Sequence, residues 1–466
     1  MTALVWFRRD LRVHDHPALR AALAEHDRVV PVFCLDDRLL HGRHASGPRT
    51  QFMLEALADL DRSLRERGGA LVVCRGAPED ELVRLADETG AESVFFAHDV
   101  SPFARTRGRR TQHAFAAAGL TPRPCPGLTV VDDVGALRTG GDDPFSVFSP
   151  FWRTWCKRPR REVLDAPAGV PLADGVDPRG VPSLGELGLV QEVAEPPPGG
   201  ERAGRALLDA WLRSGVRRYD RRHDPLAAGG TSRLSPYLHF GCVSPRELES
   251  RLPEDGAAAG AFRRQLCWRD FYHHVLLSFP QNAKLEFQAR FRGLTWSYDE
   301  DLFAAWAEGR TGFPLVDAGM RQLWREGWMH NRARLVVGSF LTKDLGIDWR
   351  WGERFFMRLL VDGDEANNNG NWQWIASVGV DPQPYFRRMY NPARHMERFD
   401  PDGAYVREYV PELRSVPDEH LREPWRMPPE LQAEVGCVIG HHYPAPIVDR
   451  RAARAAAKER YAVAAG

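Results

Sequence analysis

Residues 3–7, Ala3-Leu4-Val5-Trp6-Phe7, form a continuously apolar, β-rich run that ends abruptly at Arg8-Arg9-Asp10. Similar runs follow at residues 29–35, 70–74 and 93–97. The stretches 17–25, 50–67, 79–88 and 107–118 have helical spacing. Strands that are apolar throughout must be covered on both faces, and their alternation with helices indicates a doubly wound parallel sheet. The first expectation is therefore an α/β domain over residues 1–130. No GxGxxG follows the first strand, so the dinucleotide fingerprint is absent, and Gly68-Gly69 only marks a turn.

Downstream the pattern changes. Residues 166–200 hold seven Pro and seven Gly, too many for long helices or strands, and the span 131–200 reads as an interdomain linker. From residue 201 the spacing predicts helices over 202–214, 244–251, 257–278, 299–307, 316–327 and 331–345, giving an all-α domain over 201–450. Residues 451–466 read as a tail that forms a loose terminal helix.

The 466 residues carry 43% hydrophobic and 27% charged side chains, an ordinary globular balance for two or three domains. Lys+Arg and Asp+Glu both total 63, so any nucleic-acid site must be a local basic patch. Only four of the basic residues are Lys, as expected from a GC-rich genome. The apolar start precedes its Arg pair, the wrong order for a secretory signal, and no run approaches the ~18 residues of a membrane span. Seven scattered Cys without a CxxC pair argue against a metal site or a disulfide framework and suit a reducing, cytoplasmic setting. Nothing suggests more than a monomer. Nine of the 14 Trp fall between Trp268 and Trp374, which as composition alone suits a Trp-rich helical core.

Five segments carry candidate chemistry. Gly229-Gly230-Thr231-Ser232-Arg233-Leu234-Ser235 suits either a phosphate-holding turn, with Arg233 adding charge, or a capped helix start. Gln265, Trp268 and Arg269 share one helical face, where they suit a flat polar ligand or a mixed surface. His330-Asn331-Arg332-Ala333-Arg334 precedes an apolar helix and suits phosphate contact or an ion pair with a buried acid. Asp362-Gly363-Asp364 leads into Asn367-Asn368-Asn369. Three consecutive Asn are poor helix formers, so the stretch reads as an irregular loop wrapped round a polar heterocycle. The basic run Arg387-Arg388 to Arg398, interleaved with Tyr390, suits a nucleic-acid backbone, and Arg217-Arg218, Arg221-Arg222 and His223 form a second basic cluster.

In order, Val5-Trp6-Phe7-Arg8-Arg9-Asp10-Leu11-Arg12, Thr231 to Ser235, Trp268-Arg269-Asp270-Phe271, and above all Gly312 to Leu413 resemble the photolyase/cryptochrome family over nearly the whole chain. The closest branch is that of class I cyclobutane pyrimidine dimer (CPD) photolyases. The resemblance implies a U-shaped FAD in the helical domain. Tyr219, Thr231, Ser232, Leu234 and Ser235 match its phosphate-side contacts. Asp362, Asp364 and Asn368 match positions at the ribose, adenine or isoalloxazine, with Asn368 beside flavin N5. Arg334 matches an ion-pair partner of Asp362, and Phe262 replaces a Trp near the flavin. Trp372, Trp349 and Trp296 match the electron-transfer triad, which leaves Trp306 and Trp324 for the core. Trp268 and Trp374 match the aromatic plates of the lesion pocket, and Gln265, Asn331 and Arg332 its polar contacts. His223, Arg269, Arg387, Arg388 and Arg394 complete the expected DNA and substrate set.

The implied activity is light-driven DNA repair. A dimer flipped out of UV-damaged DNA receives an electron from excited FADH⁻, the ring opens, and the electron returns. The alternatives are a cryptochrome-type photoreceptor, disfavoured by the short stretch after Pro411-Glu412-Leu413, and a (6-4) photolyase, which has His where this chain has Asn331. Outside the family, a single-strand binder would explain the Trp and Arg clusters but not the Asn-rich stretch. Class I enzymes usually carry Glu where this chain has Gln265. An amide still donates hydrogen bonds but supplies no proton. Leu335 stands where Met is common. Cys34, Arg49 and Asp99 match an antenna site for 8-hydroxy-5-deazaflavin, with methenyltetrahydrofolate as the alternative. His239 replaces a Lys of that site.

Overall fold

The computed structural model describes residues 1–178, 180–380 and 383–465. Five parallel strands, β1 (Thr2–Phe7), β2 (Arg28–Leu35), β3 (Val72–Arg75), β4 (Ala91–Ala97) and β5 (Thr121–Cys125), form one sheet in the order β3-β2-β1-β4-β5. Helices α1 (Pro17–Glu25), α2 (Asp37–Leu40), α3 (Gly47–Arg65), α4 (Pro78–Thr89) and α5 (Pro102–Ala117) flank it. The order reverses between β1 and β4, which opens a crevice at their C-terminal ends, where open α/β sheets bind ligands. Arg8-Arg9 and His98-Asp99 line that mouth.

β5 is not visible as a strand in the sequence, because Pro122 and Pro124 suppress the pattern. Both are tolerated on an edge, where one row of backbone groups has no ladder partner. Helix α5 begins five residues before the expected start, because the Ser101 hydroxyl accepts from Ala104 N at 3.2 Å and Pro102 opens the first turn.

The span 131–200 is more than a linker. It contains helix α6 (Phe148–Lys157), and fully buried Asp270 accepts from Val130 N (3.0 Å), Val131 N (3.2 Å) and Trp155 Nε1 (2.9 Å). These bonds rivet the span to the long helix over Ala257–Ser278. Farther along, Val29 N donates to Pro171 O at 2.9 Å, so the Pro/Gly-rich stretch returns to the sheet.

The helical region runs through α7 (Glu201–Ala210), α8 (Tyr219–Arg222), α9 (Ser235–His239), α10 (Pro245–Ser250), α11 (Ala257–Ser278), α12 (Glu300–Ala307), α13 (Pro314–Glu326), α14 (Asn331–Ser339), α15 (Trp349–Leu359), α16 (Glu365–Ala376) and α17 (Pro392–Phe399). One apolar core joins the inner face of the sheet to α7, α9 and α11, with Phe52 of α3 stacked on Phe240 at 5.2 Å. A second core surrounds Trp306, Trp349 and Trp372. The C-terminal helix Arg450–Ala465 is docked rather than loose: buried Tyr461 stacks on Tyr385 at 4.9 Å, and Arg450 Nε pairs with Asp344 at 2.8 Å.

Candidate functional site

The Asn-rich stretch is helix α16, not a loop. Asn disfavours helix because its side chain competes for nearby backbone groups. Here that competition is used up inside the helix and against its neighbours. Asp364 caps the N-terminus by accepting from Asn367 N (2.8 Å) and Asn367 Nδ2 (2.6 Å). Asn371 Nδ2 donates to Asn367 O (2.8 Å), and Asn368 Nδ2 donates to Glu353 O (2.9 Å) and Glu353 Oε1 (3.3 Å) on α15. Gly370 lets α16 touch α11, since a Cβ there would lie 2.1 Å from the Tyr272 ring.

Asp364 is also an interdomain hub. Its Oδ2 accepts from Arg9 of the α/β domain, with His273 Nε2 at 3.5 Å and His239 Nδ1 at 3.9 Å. Arg9 Nη1 lies 3.8 Å from Asp99. Burial opposes the Asp364 charge, but His273 and Arg9 hold its carboxyl well below the usual range. Burial first, then Arg9, keeps the His239 imidazole neutral.

Two other acids bracket Asn368. Burial, then the charges of Glu353, Asp99 and Asp364, pushes the Glu365 carboxyl up to about 7. A carboxyl held above its unfolded value keeps its proton on folding, so this contribution is present at low pH and is lost as pH rises through the folded value. In the ligand-free chain, stability is expected to fall through this group by up to about 3 kcal/mol between pH 4.5 and 7. Urea titrations of wild type and Glu365→Gln across that range check it, because the variant should lack this slope.

The cofactor side of the site comes from separate elements. Tyr219 on α8 is buried, with the Phe262 ring of α11 perpendicular at 5.1 Å. Thr231 and Ser232 are half-buried, Leu234 is buried, and the Ser235 hydroxyl accepts from Trp328 Nε1 at 3.2 Å. Arg233 turns instead to Glu326 at 2.8 Å and covers Trp328. Arg334 Nη2 donates to Asp362 Oδ2 at 2.8 Å, while Asp362 Oδ1 is buried with no partner among the described residues. His330 caps α14 through Nδ1, and its Nε2 is also buried with no hydrogen-bond partner among the described residues. Burial is the main cause that lowers its pKa to about 4 and leaves it neutral. Orphaned polar atoms amid an ion pair and hydroxyls suit a large polar ligand that supplies the missing partners.

Next to this lies a surface of aromatic plates. Trp268 stacks face to face on Phe148 of α6, centroids 3.7 Å apart and planes 3° apart. It also meets Tyr272 at 5.6 Å, the ring against which Gly370 packs. Trp374 lies one turn beyond Gly370, so both indoles flank the crossing of α11 and α16. Gln265 and Asn331 are exposed. Arg332 forms a two-pronged pair with Asp224 (2.7 and 2.8 Å), which also holds His223 Nε2 at 3.1 Å. Asp224 organises this corner and carries no signal of its own in the sequence.

Two expected DNA contacts take other roles. Arg269 donates to Leu128 O and, at 3.2 Å, to Leu238 O, so it ties backbone segments together instead of facing DNA. Arg388 is buried, stacks over Trp374 at 3.9 Å and donates to Trp374 O at 2.9 Å, so it props the aromatic plate rather than meeting a phosphate. Arg387 and Arg394 are exposed.

The three tryptophans of the expected electron route are contiguous through the backbone. Trp372 packs on Gly352, one turn along α15 from Trp349, where an added Cβ would lie 2.2 Å from its ring. Ser297, next to Trp296, pairs with the 346–348 segment that leads into Trp349. Trp372 and Trp349 are buried and Trp296 is half-exposed, so the series runs outward. Trp306 is buried and touches Trp372 at 6.2 Å, while Trp324 is half-buried against the same core.

The family model described as DNA photolyase matches residues 3–171, and that described as the FAD binding domain of DNA photolyase matches residues 262–463. The chain belongs to the DNA photolyase family. A deoxyribodipyrimidine photo-lyase of Streptomyces griseus is 44% identical over 456 residues, 97% of each chain. A bacterial class III photolyase from Agrobacterium tumefaciens superposes with a TM-score of 0.93 at 34% identity, covering 99% of this chain and 97% of its own. An archaeal photolyase from Sulfolobus tokodaii, described with two FAD molecules, gives a TM-score of 0.85 at 32% identity and covers 99% of this chain and all of its own. FAD is thus the cofactor of the helical domain, and the orphaned Asp362 Oδ1 and His330 Nε2 fit a ligand of that polarity.

Of the expected antenna residues in this photolyase-family chain, Asp99 lies at the crevice mouth. Burial opposes its charge, but Arg9 and Arg8 hold it down to about 2. Cys34 pairs across the sheet with Cys74, sulfurs 3.4 Å apart, and burial pushes its thiol up. Arg49 spends its guanidinium on Met357 O, Leu360 O and His44 O, which fastens α3 to the end of α15. Two further residues were missed. Arg8 and Arg107 are buried over the Trp6 ring at 4.7 and 4.8 Å, each with an Nε that has no hydrogen-bond partner among the described residues. In the sequence Arg8 belongs to the Val5–Arg12 motif just after a strand and Arg107 to a helical stretch, with nothing local that pairs the two.

Among the described residues no helix is long and apolar enough to cross a membrane, and no three His, Cys, Asp or Glu are grouped to hold a metal ion.

Proposed function

We propose that the chain is a light-driven deoxyribodipyrimidine photolyase that splits cyclobutane pyrimidine dimers in UV-damaged DNA. The observation that carries this reading is the pair of half-buried indoles, Trp268 and Trp374, with exposed Gln265 and Asn331, beside the Asp362–Arg334 pair. A flipped dimer has two flat apolar rings edged by carbonyls and N–H groups. Indole faces suit the rings, and amides suit the edges, since an amide both donates and accepts. Arg387 and Arg394, with Arg217, Arg218, Arg221 and Arg222 on another exposed edge, suit the phosphate backbone.

Bound FAD, reduced and excited by light, supplies the electron that opens the cyclobutane ring. The protein's tasks are to hold, orient and exclude water. Tyr219, Thr231, Ser232, Leu234 and Ser235 are read as holding the phosphate side, with Phe262 packed against Tyr219. Arg334 fixes one oxygen of Asp362 and leaves the other to accept from the ligand. Asn368, whose amide nitrogen is anchored by Glu353, would have its Oδ1 to offer the ring. Asp364 sets the start of the helix that carries it.

The deciding test illuminates the reduced protein with blue light on oligonucleotides bearing one CPD or one (6-4) lesion. Loss of the CPD alone is expected. Bound flavin without repair of either lesion would move the chain to the photoreceptors. Repair of the (6-4) lesion alone would show that Gln265 outweighs Asn331 in lesion choice.

The route Trp372–Trp349–Trp296 is read as supplying electrons for flavin reduction. Trp372→Phe is expected to slow photoreduction by an external thiol at least about tenfold, followed by flavin absorbance.

The crevice between β1 and β4 is read as the antenna site. Two desolvated guanidiniums beside Trp6 suit a flat, acidic ring system, and 8-hydroxy-5-deazaflavin is the first choice ahead of methenyltetrahydrofolate. Mass analysis of pigment extracted from the purified protein identifies the occupant. A second FAD would place this chain with the Sulfolobus protein instead.

A further inference from the structure

The middle and outer tryptophans of the route sit in opposite electrostatic settings. Trp349 Nε1 donates to Glu286 Oε1 at 3.2 Å, and Glu286 is buried. Arg350 lies over the Trp349 ring at 4.8 Å, but its charge is matched by Glu286 at 2.7 Å and Asp348 at 3.1 Å. In ion-pair contact here are two carboxylates and one guanidinium, a net negative set, while the exposed Arg292 reaches only the Glu286 backbone O at 3.2 Å. Trp296 faces Arg460 of the C-terminal helix, whose guanidinium centre lies 5.5 Å from the ring. Arg460 donates to Thr342 O at 2.8 Å, its Nε is buried without a partner, and among the described residues no carboxylate lies within 4.0 Å of it. The other groups on that side are Tyr461, whose hydroxyl donates to Ala376 O, and Lys343, whose ammonium is desolvated and lies 5.3 Å from the Tyr461 ring. Asp344 acts on Lys343 and Glu286 on Tyr461, but neither acid reaches the Arg460 guanidinium.

We propose that Glu286 and Arg460 bias the electron vacancy left by flavin photoreduction toward buried Trp349 and away from surface Trp296. The inference rests on the three-tryptophan reading above. An electron leaving Trp372 toward the flavin is replaced from Trp349, which is then one electron short and positively charged. That charge is attracted by Glu286, and the indole N–H proton can cross the existing hydrogen bond to Glu286 Oε1, leaving a neutral radical and a neutral carboxyl. The next hop draws an electron from Trp296 to Trp349, returns the proton from Glu286 to Trp349 Nε1, and places positive charge opposite the Arg460 guanidinium, at a distance where one charge acts strongly on another. An external thiol supplies the last electron at the half-exposed Trp296. The outermost hop therefore limits light-driven reduction in this chain.

The test uses the FAD-loaded, oxidised protein with a thiol donor, following flavin reduction and the transient absorption of the tryptophan radical. Arg460→Gln, which can still bond Thr342 O, is expected to speed photoreduction about threefold or more. Arg460→Lys, which keeps the charge, should stay at the wild-type rate. Glu286→Gln should also speed it, and should leave the early radical protonated where wild type shows the deprotonated form. Repair by chemically reduced Arg460→Gln should match wild type, because the reduced flavin does not draw on this route. Equal rates in wild type and both Gln variants, or acceleration in Arg460→Lys, overturn the charge argument. Trp296→Phe separates the two levels: photoreduction as fast as wild type removes the three-tryptophan reading and this inference with it. A block in Trp296→Phe with unaltered Gln variants removes the inference alone.

Discussion

Asp364→Ala is expected to lower stability by about 3–5 kcal/mol and to release the flavin. The carboxylate performs two jobs with one group. It caps α16, a contribution of about 1 kcal/mol, and it neutralises Arg9 with His273 alongside. Removing it strands a half-buried guanidinium whose remaining acid, Asp99, is 3.8 Å away. The start of α16 then loosens, and with it Asn368, so flavin retention and stability should fall together. Asp364→Asn keeps a cap oxygen and a similar shape but not the charge, so it should fall between Ala and wild type. The pH dependence adds a second check. A carboxyl held below its unfolded value stabilises the fold above that value and loses this contribution as pH falls through the folded one. The gap between wild type and Asp364→Ala should therefore be widest near neutrality and narrow in acid. Urea unfolding with bound-flavin absorbance reads both, and a midpoint matching wild type at neutral pH would contradict the hub.

Much of this was legible in the sequence, for identifiable reasons. The apolar strands are readable because burial on both faces leaves no room for polar residues. The long helix α11 is readable because nothing in its 22 residues breaks it. What failed depended on partners distant in sequence. The Asn stretch folds as a helix because Asp364, Glu353 and the neighbouring side chains satisfy its amides, and propensity alone knows nothing of them. Arg269 and Arg388 have the composition of DNA contacts, but one finds backbone carbonyls and the other finds Trp374. The Arg9–Asp364 pair joins residues 355 positions apart, which no local pattern announces. Some of the expected site residues do meet directly, Tyr219 with the Phe262 ring and Arg334 with Asp362, each placed by a helix end or a close helix contact.

Trp268→Ala is expected to separate lesion recognition from DNA grip. The indole lies flat on Phe148, and Arg264 caps the far end of that stack at 4.8 Å from Phe148, so the plate is held before any ligand arrives. Truncation removes one stacking face, worth about 1–3 kcal/mol per base, so affinity for CPD-containing DNA should fall about 10- to 100-fold. Undamaged duplex is held through phosphates and does not enter the pocket, so its affinity and the slope of binding against salt should barely change. Trp268→Phe keeps a smaller ring over Phe148 and should recover most of the loss, which separates a stacking role from a merely structural one. Binding isotherms on paired damaged and undamaged oligonucleotides at several salt concentrations resolve the two contributions. An equal loss on both DNAs would mean that Trp268 supports the surface as a whole, and the lesion would then have to be gripped from the Trp374 side, where Arg388 holds the opposing plate.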